Sequence, residues 1–245
     1  MDLTRRALMF GVPAALLASR TAENRVPVLV ELFTSEGCSS CPPADELLIR
    51  LVKEQSVPGA EVIALGQHVD YWNRLGWADP FSAPTFTQRQ KWYADGFQGS
   101  GSYTPQMVVD GQTEFVGSDS TRATRAIVQA TKTPKLPADL ALLDGTATFS
   151  IDASSWNGHA DVVLAVVENN LQTTVKRGEN GGRVLHHASV VRSWTPVGGL
   201  DGGSKFTLKK AVELRREWKA PDLRVVLFAQ DSRSRRIVAV RSVSV

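Results

Sequence analysis

Apolar and polar positions alternate differently in the two halves of the chain. Val26 to Phe33 is a short run rich in Val and Leu, the pattern of a strand buried on both faces. Thr34 to Cys41 is small and polar, which predicts a loop. Pro42 and Pro43 suit a first helical turn, where their missing N–H groups cost little. Leu47, Leu48, Leu51 and Val52 recur at helical spacing, so a helix is expected from about Pro43 to Glu54. Pro58-Gly59 breaks it, and Glu61 to Val69 reads as a second strand. Strand, helix and strand in this order predict a parallel βαβ unit.

Tyr71 to Gly101 is aromatic and less regular, with a helix expected over Thr85–Phe97. Gln106–Val109 and Glu114–Val116 flank Asp110-Gly111, a hairpin turn signal. Ser118-Asp119-Ser120 offers caps for a helix over Thr121–Thr131. Thr133 to Pro137 reads as a linker. Beyond it, alternating β-branched segments predict strands at Leu140–Leu143, Thr146–Ile151, Asp161–Glu168, Val184–Arg192, Lys205–Val212, Leu223–Gln230 and Arg236–Val243. Short strands with regular turn signals suggest an antiparallel β-sandwich.

Composition changes this picture little: 42% hydrophobic and 22% charged residues describe a globular chain. The pI near 9.0 invites a nucleic-acid reading. Outside residues 1–22, however, 25 Lys and Arg face 24 Asp and Glu. The remaining basic bias, from Lys205 to Arg241, is spread through alternating segments as on a solvated face, so no nucleic-acid partner is expected. Arg5-Arg6, followed by an uncharged, mostly apolar run from Ala7 to Ala18, is too short to span a bilayer comfortably. Thr4-Arg5-Arg6-Ala7-Leu8-Met9 resembles a twin-arginine export signal over residues 1–22. The resemblance implies a periplasmic or secreted protein that meets a membrane only through that signal.

The two cysteines stand as Cys38-Ser39-Ser40-Cys41, between the first strand and the first helix. Zinc sites usually take four ligands, and a second cysteine pair is lacking. A thiol at a helix N-terminus meets unpaired N–H groups and the positive end of the helix dipole, which favour the attacking thiolate. Cys38 is the expected attacking thiol and Cys41 the resolving one, joined in the oxidised protein as a Cys38–Cys41 disulfide. Glu36 and Asp45 add negative charge nearby, and Pro42 and Pro43 remove two donors, so the thiolate is less favoured than the bare motif suggests. The chemistry requires the sulfurs to be open to a visiting polypeptide.

Thr104-Pro105 stands directly before the hairpin. Here the chain resembles the thioredoxin superfamily, in which a cis-proline sits against the CxxC. The resemblance, over roughly residues 26–132, implies that Pro105 is cis and that the Thr104 backbone pairs with an extended substrate; Tyr103 and Trp72 are further candidate substrate contacts. About one X–Pro bond in twenty is cis, so spacing alone does not establish it. The implied fold class is α/β: a thioredoxin-like domain over 26–132 (βαβ, helical aromatic insert, ββα), then a C-terminal antiparallel β-sandwich-like domain over 138–245. Glu31-Leu32-Phe33-Thr34-Ser35-Glu36-Gly37-Cys38-Ser39-Ser40-Cys41-Pro42-Pro43-Ala44, His68-Val69-Asp70-Tyr71-Trp72 and Arg177-Gly178-Glu179-Asn180 together resemble the secreted bacterial family of domain of unknown function 1223. That resemblance supplies no activity.

His68 follows the second strand, on the sheet edge expected to carry Cys38. There it either relays a proton for the thiol pair or packs, hydrogen-bonded, against Tyr71 and Trp72. Trp72, Trp77, Phe81, Phe86, Trp92 and Tyr93 are expected as the core of the insert rather than a substrate groove. His186 and His187 should point to opposite faces of a strand, which argues against a shared metal. Arg177 to Gly182 reads as a flexible hairpin loop that either folds back over the thiol edge or, as the sequence favours, forms a plain surface turn. Three functions remain open. The first is an exported thiol–disulfide oxidoreductase acting on protein or small-molecule thiols, with no organic cofactor. The second is a copper carrier with Cys38, Cys41 and His68 as ligands, since thiolates suit Cu(I). The third is a non-catalytic binding module with a structural disulfide.

Overall fold

The computed structural model describes residues 25–97 and 101–245; the export-like segment at 1–22 lies outside them. The fold is mixed α/β, with few helices around one large sheet. The first strand, β1 (Val26–Thr34), leads through α1 (Pro42–Glu54) to β2 (Ala60–His68). The two strands pair in parallel from Val26↔Ala60 to Thr34↔His68. After α2 (Pro84–Ala94) come β3 (Gln106–Val109), β4 (Thr113–Val116) and α3 (Ser120–Ala130). In α3 the Asp119 carboxylate caps the first turn by accepting the Arg122 N–H.

The chain continues through β5 (Ala138–Leu143), β6 (Thr146–Asp152), β7 (His159–Glu168), β8 (Leu171–Thr174), β9 (Val184–His187), β10 (Val190–Asp201), β11 (Lys205–Ala211), β12 (Leu223–Asp231) and β13 (Ile237–Ser244). Eight strands form one sheet in the order β13-β12-β7-β10-β2-β1-β3-β4. The sheet therefore draws strands from both sides of residues 133–137. The joint is a single parallel pairing, Val190↔Gly66, between β10 and β2.

Alternation along the strands sends side chains to two faces, and each finds its own core. Val28, Val30 and Leu32 of β1 pack with Leu47, Leu48 and Leu51 of α1 and Ala123 and Ile127 of α3. The opposite face carries Leu29, Ile63 and Leu65, clustered with Phe86 of α2 and with Val163, Val226 and Phe228 from the later strands. The sheet curls enough for β13 to reach back to the β3–β4 turn, where the Ile237 N–H donates to the Asp110 carbonyl. A separate three-stranded sheet, β11-β6-β5, lays Phe149 and Ile151 against Val162, Leu164 and Leu227.

A buried polar group sits beside the inner face. Glu31 receives Arg89 through paired contacts at 2.5 and 2.8 Å, the Tyr93 hydroxyl at 2.5 Å and the Gln67 amide at 2.6 Å. Gln230 of β12 accepts from Arg89 and donates to Tyr93, so the network ties α2 and β1 to a late strand. The expected strand Val184–Arg192 is instead two strands: Ser189, at φ 51°, breaks it into β9 and β10. No helix among the described residues is long and apolar enough to cross a membrane.

Candidate functional site

The loop after β1 turns twice before α1. The Cys38 N–H donates to the Ser35 carbonyl and the Cys41 N–H to the Cys38 carbonyl, both at 3.2 Å. These turns bring the two Cα atoms to 5.4 Å, and the cysteines form a disulfide. Cys41 is the residue before α1, and its carbonyl accepts from the Ala44 and Asp45 N–H groups. Pro42 and Pro43 fill the first helical positions, where proline's absent N–H is tolerated.

The Thr104–Pro105 bond is cis, and this segment lies against the first cysteine. The Thr104 hydroxyl donates to Cys38 Sγ at 3.4 Å and accepts from Trp72 Nε1 at 2.8 Å. Trp72 packs directly over Gly37, where a Cβ would lie 3.1 Å from the Trp72 Cβ. Glycine thus allows the indole to close on the loop. Trp72 and Thr104 accordingly meet at Cys38. Tyr103 is turned elsewhere: its hydroxyl donates to Glu114 at 2.5 Å, and burial together with that carboxylate raises its pKa.

Two sequence expectations are corrected. The sulfurs are not open to a partner: Cys38 and Cys41 are both 0% exposed, and only Ser39 and Ser40 between them reach solvent. The turn at Arg177–Gly182 is not a plain surface feature. It crosses more than a hundred residues of chain to lie on the cysteine loop. Asn180, wholly buried, donates to the Glu36 and Cys38 carbonyls, each at 2.9 Å. The Glu179 carboxylate accepts the Ser39 N–H at 3.0 Å.

His68 is buried, but its neighbours are Asp79, Phe81 and His187 rather than Tyr71 and Trp72. Its Nδ1 is 2.7 Å from Asp79 Oδ2, and its ring meets Phe81 and His187 edge-on. Asp79 also accepts the Glu36 N–H, which anchors the cysteine loop to the insert. Glu36 in turn accepts from Trp77 Nε1 at 2.7 Å and faces His187 Nε2 at 3.2 Å. Asp45 completes the group, 4.0 Å from His187 Nδ1. Three carboxylates and two imidazoles are therefore buried together on elements flanking the disulfide.

Their charges are not equivalent. Burial pushes the Asp45 carboxyl up to about 7, and His187 offsets only part of the rise. Burial acts upward on Asp79 as well, but His68 and the Glu36 and Phe81 N–H groups outweigh it and hold Asp79 below the usual range. Glu36 and Asp45 were legible as nearby negative charge. The parts of Asp79 and His187 were not, because both arrive from distant segments. His186, next in the strand, is exposed. Of the insert aromatics, Phe86 and Tyr93 are buried, while Trp72, Trp77, Phe81 and Trp92 are partly buried. Among the described residues no group of three or more His, Cys, Asp and Glu is placed to hold a metal ion.

A crystal structure of a protein from Agrobacterium tumefaciens is similar to this chain, with 30% sequence identity and a TM-score of 0.70. The match covers 91% of this chain and 96% of that one. No curated protein sequence matches. A family model described as "Protein of unknown function (DUF1223)" matches residues 29–230, a span that includes the disulfide, the acid–histidine group and the turn that covers them. The chain belongs to the DUF1223 family of proteins of unknown function.

Proposed function

We propose that this protein is an exported thiol–disulfide oxidoreductase, periplasmic or secreted, whose redox centre is Cys38–Cys41. The observation that carries the reading is the Thr104 hydroxyl, 3.4 Å from Cys38 Sγ. It supports reading the Thr104-Pro105 segment as the place where a partner chain docks to reach that sulfur. The order β1–α1–β2 followed by β3–β4–α3, with β1 parallel to β2 and antiparallel to β3, supports a thioredoxin-like arrangement. The packing of β5, β6 and β11 on β7 and β12 supports a C-terminal β-sandwich.

The exchange needs no organic cofactor. A partner thiolate bonds to Cys38 Sγ, the Cys38–Cys41 bond breaks, and Cys41 leaves as the thiolate. A second partner thiolate then attacks the partner's sulfur in that mixed disulfide and Cys38 leaves as thiolate, so the partner is oxidised and the pair reduced. In the opposite direction the Cys38 thiolate attacks a partner disulfide and one partner sulfur leaves as thiolate. Cys41 then attacks Cys38 to restore the Cys38–Cys41 bond and release the other partner thiolate. Because both sulfurs are covered, the loop must be uncovered first.

That burial favours a second reading, a structural disulfide in a binding module. One experiment separates the two. The purified parent, first reduced and freed of reductant, should exchange with a disulfide-bonded reporter peptide, and Cys38→Ser should abolish exchange. A parent that exchanges no faster than Cys38→Ser would leave the structural reading. No observation favours the copper carrier over either.

A further inference from the structure

The turn between β8 and β9 is built to hold on to the cysteine loop. Asn180 gives its amide hydrogens to two carbonyls of that loop, Glu36 and Cys38. Its own oxygen accepts from Arg183 Nη1 at 2.9 Å, which fixes the way round the amide stands. Glu179 is exposed, yet its carboxylate is bound to the Ser39 N–H, and hydrogen bonding from the Ser39 side chain and backbone holds its pKa below the ordinary value. The turn is closed on itself by Gly181 N–H to Gly178 carbonyl and Gly182 N–H to Val175 carbonyl bonds. Gly178, at φ +79°, brings the chain against Trp77, so a side chain there would be strained and crowded. The segment is thus compact, tied at both ends to a two-stranded ribbon, and joined to the site mainly by side-chain hydrogen bonds.

The peptide group that follows Cys38 is engaged at both its ends, the Cys38 carbonyl and the Ser39 N–H, by this one segment. We infer that residues 177–183 form a displaceable cover, with Glu179 and Asn180 as specificity-determining residues that admit an extended acidic polypeptide in preference to a small thiol. The cover is itself a polypeptide presenting a carboxylate to the Ser39 N–H. A partner that replaces it must supply the same chemistry: an acceptor for that N–H and an extended backbone beside Thr104. A small thiol supplies neither and waits for spontaneous opening. The substrate class rests on the oxidoreductase reading; the cover itself does not.

The test measures the rate at which the oxidised full chain is reduced, by trapping freed cysteines with a maleimide. The reductants are dithiothreitol and a cysteine-containing acidic peptide, compared in the parent, Asn180→Ala and Glu179→Gln. Asn180→Ala removes two hydrogen bonds to the loop, and dithiothreitol should then act about tenfold faster, each such bond contributing roughly a factor of a few. Glu179→Gln should give a smaller gain with dithiothreitol and lower the peptide's advantage over it. Glu179 is exposed, so that variant keeps the test valid if Asn180→Ala unfolds. Reduction of both variants at the parent's rate would overturn the cover, and an unchanged peptide-to-dithiothreitol ratio would overturn the selection. Reporter exchange in the parent against Cys38→Ser is scored separately, so loss of the oxidoreductase reading is distinguishable from loss of the cover.

Discussion

Replacing Asp45 by Asn tests whether the acid–histidine group beneath the disulfide stores a proton. The Asp45 carboxyl is buried and stands at about 7 rather than 3.8. Over the interval between those values the folded protein binds a proton that the unfolded chain has released. Stability therefore falls as pH rises from about 4 to about 7, the opposite of the usual carboxylate behaviour. A rise of roughly three units corresponds to a fall on the order of 4 kcal/mol across that window, before His187, Glu36 and Asp79 respond. Asn keeps the volume and cannot ionise, so most of this slope should vanish in Asp45→Asn. The variant should gain on the parent as pH rises, with the difference fully developed above about pH 7. Urea unfolding of both proteins at about pH 4.5, 6 and 7.5 measures it. Parallel stability curves over this range would refute the reasoning, because they would mean that Asp45 ionises in the folded state as readily as in the unfolded one.

Two further outcomes follow from the packing. Arg89→Met removes the cation from Glu31 and leaves a carboxylate that is 1% exposed without its partner; chemical denaturation should show a loss of about 3–5 kcal/mol, and Glu31→Gln combined with Arg89→Met should lose less than the two changes summed. Gly37→Ala places a methyl 3.1 Å from the Trp72 Cβ, so Trp72 must give by a few tenths of an ångström, which strains its 2.8 Å bond to Thr104; the Trp emission should change and reporter exchange slow, and unaltered emission would count against the Trp72–Thr104–Cys38 arrangement.

Local elements were legible wherever burial imposes a period. Leu47, Leu48 and Leu51 reveal α1 because one helical face meets the sheet, and Asp110-Gly111 reveals its hairpin because few residue pairs suit that turn. Strand β8 escaped because Leu171–Thr174 is short and nowhere fully buried. The outer part of β10 escaped because Pro196, Gly198 and Gly199 read as breakers, whereas here they stand beside a bulge in its pairing with β7. At the site, Cys38, Cys41, Thr104 and Trp72 could be named because they lie near one another in motif or in the resemblance. That the Arg177–Gly182 loop folds back over the sulfurs is one of two readings, and the sequence favours the other. The covering depends on Asn180 and Glu179, some 140 positions away, as their separations of 142 and 140 show, and no local pattern encodes that meeting.

The shared sheet bears on any attempt to shorten the protein. A fragment stopping at residue 132 would keep both cysteines yet turn Leu29, Ile63 and Leu65 toward water, since Val163, Val226 and Phe228 are what they rest on. It would also strip Glu36 of His187 and leave the cysteine loop bare. Such a truncation is a misleading reagent for the parent, because whatever reactivity it displayed would belong to a loop stripped of the contacts that Asn180, Glu179 and His187 make with it in the intact chain.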